Sequence, residues 1–157
     1  MSVVIGQGAT LVTPLQMARI IAAYGTGYLI KPRFLEDEPI ERHELTLKQE
    51  TRSFLQEALF ATVQEGSAKL LKNIPEWSIS AKTGTAQVRG LVRTKKTEED
   101  IENAEKTKHH GWVVCYGQYK QEEPLVLILL IENIGTSRAV VHLARTFFRS
   151  YAQAMQK

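Results

Sequence analysis

The chain has 157 residues, 43% hydrophobic and 24% charged, and a formal net charge of +3. That balance is ordinary for a globular protein and argues against a disordered or fibrous chain, while the length allows one domain with a real core. The charge is too small and too scattered to imply nucleic acid, the single Cys115 excludes an intramolecular disulfide framework, and no signal peptide and no apolar run near the ~18 residues of a membrane helix is visible in these residues, which says nothing about a parent protein.

Thr13-Pro14 reads as a helix start, with an N-cap hydroxyl and proline at the first helical position. Leu15, Ala18, Ile21 and Ala22 recur at helical spacing, and Gly25 and Gly27 stop the run. Lys31-Pro32-Arg33 follows as an extended exit, then an acidic loop from Glu36 to Glu44. A second helix begins near Thr46, with Gln49 placed for a capping box. Phe54, Leu55, Ala58, Leu59 and Thr62 form its buried stripe, and Gly66 ends it. Residues 74–88 alternate as a strand with Trp77, Ile79 and Ala81 on one face.

Residues 89–108 interleave Arg, Lys, Glu and Asp with almost no apolar content, which reads as a long hairpin loop or a short solvated helix near Glu98 to Lys106. His110 to Tyr119 reads as a strand that buries Cys115 as a packing residue, and Gln121 to Pro124 as a turn. The unbroken apolar run Leu125 to Ile131 predicts a central strand covered on both faces. Val140, Leu143, Ala144, Phe147, Tyr151 and Met155 share one face of an amphipathic terminal helix, with Arg138, His142, Arg145 and Arg149 as a solvated stripe. The fold class is α+β: an antiparallel sheet of about three strands flanked by helices.

Within the first strand, Ser80-Ala81-Lys82-Thr83-Gly84-Thr85-Ala86-Gln87-Val88 combines groups suited to holding an anion along a sheet edge. Lys82 carries a compact positive charge. Gly84 lets a ligand approach the backbone, Thr83 and Thr85 carry hydroxyls, and an edge strand offers a row of N–H groups. Alternation sets Lys82 and Gly84 on one face and Thr83 and Thr85 on the other.

Lys82-Thr83-Gly84 resembles the third motif of the penicillin-recognising serine enzymes. The opening block, Ile5-Gly6-Gln7-Gly8-Ala9-Thr10-Leu11-Val12-Thr13-Pro14-Leu15-Gln16-Met17-Ala18, is similar to the segment that precedes this motif in class B penicillin-binding proteins. His110-Gly111-Trp112-Val113-Val114 resembles their His-Ala-Trp-Phe strand, and Gly6-Gln7-Gly8, Gln87-Val88 and the His110/Trp112 pair resemble the elongation-type branch. Ala23-Tyr24-Gly25-Thr26-Gly27 departs from the family's Ala-Asn-Gly-Gly at a helix end. No serine of the chain has a lysine three positions later, and no Ser-x-Asn or Tyr-x-Asn occurs. The resemblance therefore implies residues 1–157 as the C-terminal part of a transpeptidase domain of β-lactamase/transpeptidase-like fold, without its nucleophile.

The same resemblance implies a parent D,D-transpeptidase that cross-links stem peptides through a serine acyl-enzyme and binds β-lactams. In it, Lys82, Thr83 and Gly84 form the catalytic wall. Thr83, Thr85 and Gln87 meet substrate, and the Thr85 backbone N–H is one oxyanion donor. Implied partners are the peptidoglycan stem peptide, β-lactams and cell-wall elongation proteins; no cofactor, metal or nucleic acid is called for. The parent would be anchored in the cytoplasmic membrane with its catalytic domain on the outer side, and the isolated segment would self-associate through surface that meets the missing half.

Three alternatives stand beside this reading. The chain reads also as a non-catalytic remnant that binds peptide or protein. His110 beside a core tryptophan reads as structural, and Gly6-Gln7-Gly8 as a tight turn. His109 and His110 with Cys115 fit no common zinc spacing.

Overall fold

The computed structural model describes Gly6, residues 10–87 and residues 109–156. The expected loop or helix at 89–108, Val88, and Ile5 and Gln7 to Ala9 of the opening block lie outside the described residues.

Helix α1 spans Pro14–Thr26 and begins as the sequence dictates. The Thr13 hydroxyl accepts from the Gln16 N–H at 3.2 Å, and the Thr13 N–H donates to Gln16 Oε1 at 2.8 Å, a reciprocal capping box. Gly27 ends the helix at φ +86°, its N–H donating to the Ala23 carbonyl at 2.8 Å. Gly25 does not stop the helix but lies inside it, where a Cβ would collide with the ring of Tyr116. Leu15 is exposed; Ile21 and Ala23 carry the burial.

Two short strands went unread in the sequence. β1 (Tyr28–Ile30) and β2 (Arg42–Glu44) form an antiparallel hairpin, so the acidic loop ends in a strand. Three residues per strand are too few for alternation to register. Helix α2 spans Gln49–Gln64, three residues later than expected, with Lys48 at its N-cap and no side-chain cap. Its expected stripe is also corrected: Phe54 is 69% exposed and Ala58 is exposed, while Val63 is the buried residue. Gln56 instead ties α2 to α1, donating to the Tyr24 and Gly25 carbonyls at 2.8 and 3.2 Å.

The sheet orders β3 (Trp77–Ala86), β4 (His110–Tyr119) and β5 (Leu125–Ile131), all antiparallel. β3 starts at Trp77 rather than 74, and Trp77, Ile79 and Ala81 share a face as the alternation predicts. β5 is not central: among the described residues it is an edge strand, half-buried throughout, and β4 is the middle strand. Helix α3 (Ser137–Ala154) packs on the sheet through Val140, Val141, Ala144, Phe148 and Ala152. Of the expected face Val140 and Ala144 are buried, whereas Leu143 is 49%, Phe147 37% and Met155 46% exposed. Trp77 locks this layer, stacking edge-on against Phe148 at 4.7 Å and donating its indole N–H to the Phe148 carbonyl at 3.1 Å. The architecture is α+β with helices over both sheet faces: α1 and α2 lie over the face bearing Ser80 and Tyr116, and α3 over the face bearing Ile79 and Cys115.

Candidate functional site

β3 carries the candidate residues along one edge of the described sheet, with β4 as its partner on the other side. An antiparallel edge strand leaves the N–H and C=O of every second residue directed away from that partner. The register sets Lys82 opposite Val114, Thr83 opposite Val113, Gly84 opposite Trp112 and Thr85 opposite Gly111.

Lys82 is exposed, and its Nζ donates to the Thr83 carbonyl at 2.6 Å. Thr83 points the other way, into the layer of Ile79 and Ala81, and is only 8% exposed. Its hydroxyl lies 2.6 Å from the Ser67 hydroxyl, and either can be the donor. Thr85 is half-buried, and Gln87 is exposed just past the strand end. The structure thus brings Lys82, Thr83, Gly84 and Thr85 onto one edge while dividing their side chains between two faces.

Gly84 occupies a backbone conformation open to any residue, and among the described residues a Cβ there would meet only Trp112 Cβ, at 3.4 Å. Neither backbone strain nor internal packing demands a glycine. Among the described residues the space over it is open, which suits close approach of a ligand. Gly111, one step away in the ladder, is the opposite case: a Cβ would stand 2.6 Å from Val140 Cγ2, 2.7 Å from Ile134 Cγ2 and 3.0 Å from the Thr136 carbonyl. Here the missing side chain admits the start of α3 against the sheet.

A small cleft of about 130 Å³ opens on the Lys82 face, lined by Ile21, Gly25, Gln56, Leu59, Ser80 and Tyr116. Burial pushes the Tyr116 phenol up, with Glu123 adding to the rise. His110 Nδ1 accepts the Asn133 N–H at 3.0 Å while the Gly135 N–H donates to the His109 carbonyl at 2.9 Å, tying down the turn that leads into α3. Trp112 is half-buried beside Gly84. Cys115 is fully buried and its thiol is pushed up to about 12 by desolvation, so the thiolate that metals and electrophiles need is suppressed. Among the described residues no three His, Cys, Asp or Glu side chains converge to hold a metal.

Sequence reasoning singled out the β3 residues but missed Ser67. The only trace of it is Gly66-Ser67 after a helical run, a common helix end that does not reveal its contact with a strand sixteen residues on.

Comparison with known proteins follows the same residues. The family described as the penicillin binding protein transpeptidase domain matches residues 1–152. Peptidoglycan D,D-transpeptidase MrdA of Acinetobacter baumannii is 28% identical over 159 residues, which cover 94% of this chain and 23% of that protein. A solved peptidoglycan synthase complex, reported for its coordination of polymerization and crosslinking, contains a chain with a TM-score of 0.73 at 28% identity, over 96% of this chain and 25% of that one. PBP2 of Pseudomonas aeruginosa has the same fold, with a TM-score of 0.61 at 18% identity over 88% of this chain and 29% of that one. The chain therefore spans about a quarter of the length of these relatives.

Proposed function

Because the chain belongs to the penicillin-binding protein transpeptidase domain family, and within it to the class B, elongation-type branch, we propose that it is the C-terminal part of a peptidoglycan D,D-transpeptidase and supplies one wall of the active site. The observation that carries this reading is the β3 edge, where an exposed lysine adjoins a glycine with open space above it among the described residues. Acyl transfer from a D-alanyl-D-alanine stem needs a nucleophile, a proton acceptor, an oxyanion site and an anchor for the terminal carboxylate. Lys82, Thr83 and Thr85 serve the last of these, with Gln87 at the rim. The Thr85 N–H serves the oxyanion, and Lys82 sets the potential in which both charges sit.

The nucleophile and its lysine come from elsewhere in the whole protein, since no Ser-x-x-Lys occurs here. That protein acts on stem peptides, takes β-lactams as substrate mimics, and works with cell-wall elongation proteins on the outer side of the cytoplasmic membrane. No described helix is long and apolar enough to cross a membrane. The missing nucleophile also favours a second reading, a non-catalytic remnant that binds peptide or protein.

Fluorescent penicillin separates the two. The whole protein should take up one label per molecule, stable to denaturing electrophoresis, and the 157-residue chain none. An unlabelled whole protein refutes the transpeptidase reading, and a stoichiometric adduct on any serine of this chain refutes the division of the site.

A further inference from the structure

The geometry points to Ser67 as a positioning residue for Thr83: its hydroxyl holds the Thr83 hydroxyl in the orientation that donates to an anionic ligand on the β3 edge. This rests on the transpeptidase reading and adds to it a residue outside the Lys-Thr-Gly triplet.

Ser67 is placed by constraints that are independent of any ligand. Directly after α2 the chain turns tightly at Gly66, where a Cβ would come within 2.9 Å of the Thr62 backbone. The Ala68 N–H then donates to the Thr62 carbonyl at 3.1 Å, and Ala68 is wholly buried. Between these two fixed points Ser67 has little freedom. It stays exposed itself, yet its hydroxyl meets Thr83, of which only 8% is exposed. On the other side of the same residue, Lys82 holds the Thr83 carbonyl.

A hydroxyl has one hydrogen to give and two lone pairs. In the Ser67–Thr83 pair one of the two hydrogens is shared, and the direction of sharing decides what Thr83 presents. If Thr83 donates to Ser67, it can offer a carboxylate only lone pairs, which repel it. If Ser67 donates to Thr83, the Thr83 hydrogen is released to the carboxylate, and the donated bond strengthens it as a donor. An arriving anion selects the second arrangement, and Ser67 makes it available without reorganisation. Without Ser67 the Thr83 hydroxyl loses this support.

The test is a double-mutant cycle in the full-length protein, read as the second-order acylation rate with a penicillin bearing its free carboxylate and with the methyl ester of the same penicillin. Ser67→Ala should slow acylation by the carboxylate form roughly tenfold, the scale of one hydrogen bond, and leave the ester rate nearly unchanged. Ser67→Thr should restore the carboxylate rate. In a Thr83→Val background Ser67→Ala should cost nothing further, because its effect passes through Thr83. Equal losses with both penicillins, or additive losses in the double variant, overturn the assignment while leaving the transpeptidase reading intact. Failure of the unaltered protein to react with either penicillin overturns the reading and the assignment together.

Discussion

Gly84 and Gly111 sit in adjacent rungs of the same strand pair, yet alanine should act on them in opposite ways. At Gly84 the added methyl meets, among the described residues, only Trp112 Cβ, at the ordinary contact distance of 3.4 Å. The strand conformation suits alanine, and loss of unfolded-state freedom contributes about 0.4–1 kcal/mol in its favour. Gly84→Ala should therefore leave the melting temperature of the chain level or slightly raised. At Gly111 the methyl would sit at 2.6, 2.7 and 3.0 Å from three groups, one of them a backbone carbonyl that cannot step aside. Overpacking of this kind costs roughly 1–3 kcal/mol. Denaturant titration of the two variants gives the stability difference directly. Penicillin acylation in the whole protein supplies the second axis: Gly84→Ala should slow it although the fold is intact, since the methyl occupies the space that the proposed function gives to the ligand. If Gly84→Ala destabilises as much as Gly111→Ala, or acylates at the parent rate, the distinction between a site glycine and a packing glycine is refuted.

Lys82→Ala in the whole protein should lower the acylation rate by ~10²–10³, the scale of removing one preorganised electrostatic group, and a near-parental rate would make the triplet scaffold. Cys115, pushed up to about 12 by burial, should ignore a thiol reagent at pH 8 in the native chain and react once denaturant is added. Glu76 is held below its ordinary value of 4.5, first by the Tyr119 hydroxyl donating at 2.6 Å and then by Lys120 at 3.3 Å. Its folded-state pKa is depressed, so its stabilisation is present above the unfolded value and lost as pH falls through the folded one; the melting difference between parent and Glu76→Gln should persist at pH 6–8 and close in acid. The isolated chain exposes Leu11 at 92%, Phe34 at 83% and Phe54 at 69%, so sedimentation should find it self-associating, and a compact monomer at high concentration would count against that.

Two misreadings of the fold share a cause. The run Leu125 to Ile131 is apolar because α1 lies over one face of β5 and α3 over the other. Its composition reports coverage of faces and is silent on lateral neighbours, so it could not distinguish a middle strand from an edge. Helix α3 offered two apolar arcs, one through Leu143 and Phe147 and one through Val141 and Phe148. The choice was made by the sheet: the missing side chain at Gly111 admits Val140, and the one at Gly117 admits Phe148 and Trp77, whose rings would lie 3.1 and 3.0 Å from a Cβ. By contrast, the start of α1 and the span of β4 were legible because each depends on neighbours in sequence, an N-cap hydroxyl followed by proline and a run of strand-forming residues between polar turns.

The candidate site divides along the same line. Residue types at the β3 edge were readable because alternation alone separates Lys82 and Gly84 from Thr83 and Thr85. What alternation cannot supply is the surrounding of each face. Lys82 emerges on the exposed side, while Thr83 is nearly buried against the turn after α2, where Ser67 meets it. A ligand laid over the Lys82 face alone would miss the Thr83 hydroxyl, and one on the opposite face would meet the packed layer of Ile79 and Ala81. In the proposed function a carboxylate would address the ammonium and the hydroxyls together from along the strand edge, between the faces, with its remaining atoms passing over Gly84. An extended peptide ending in a carboxylate has that shape.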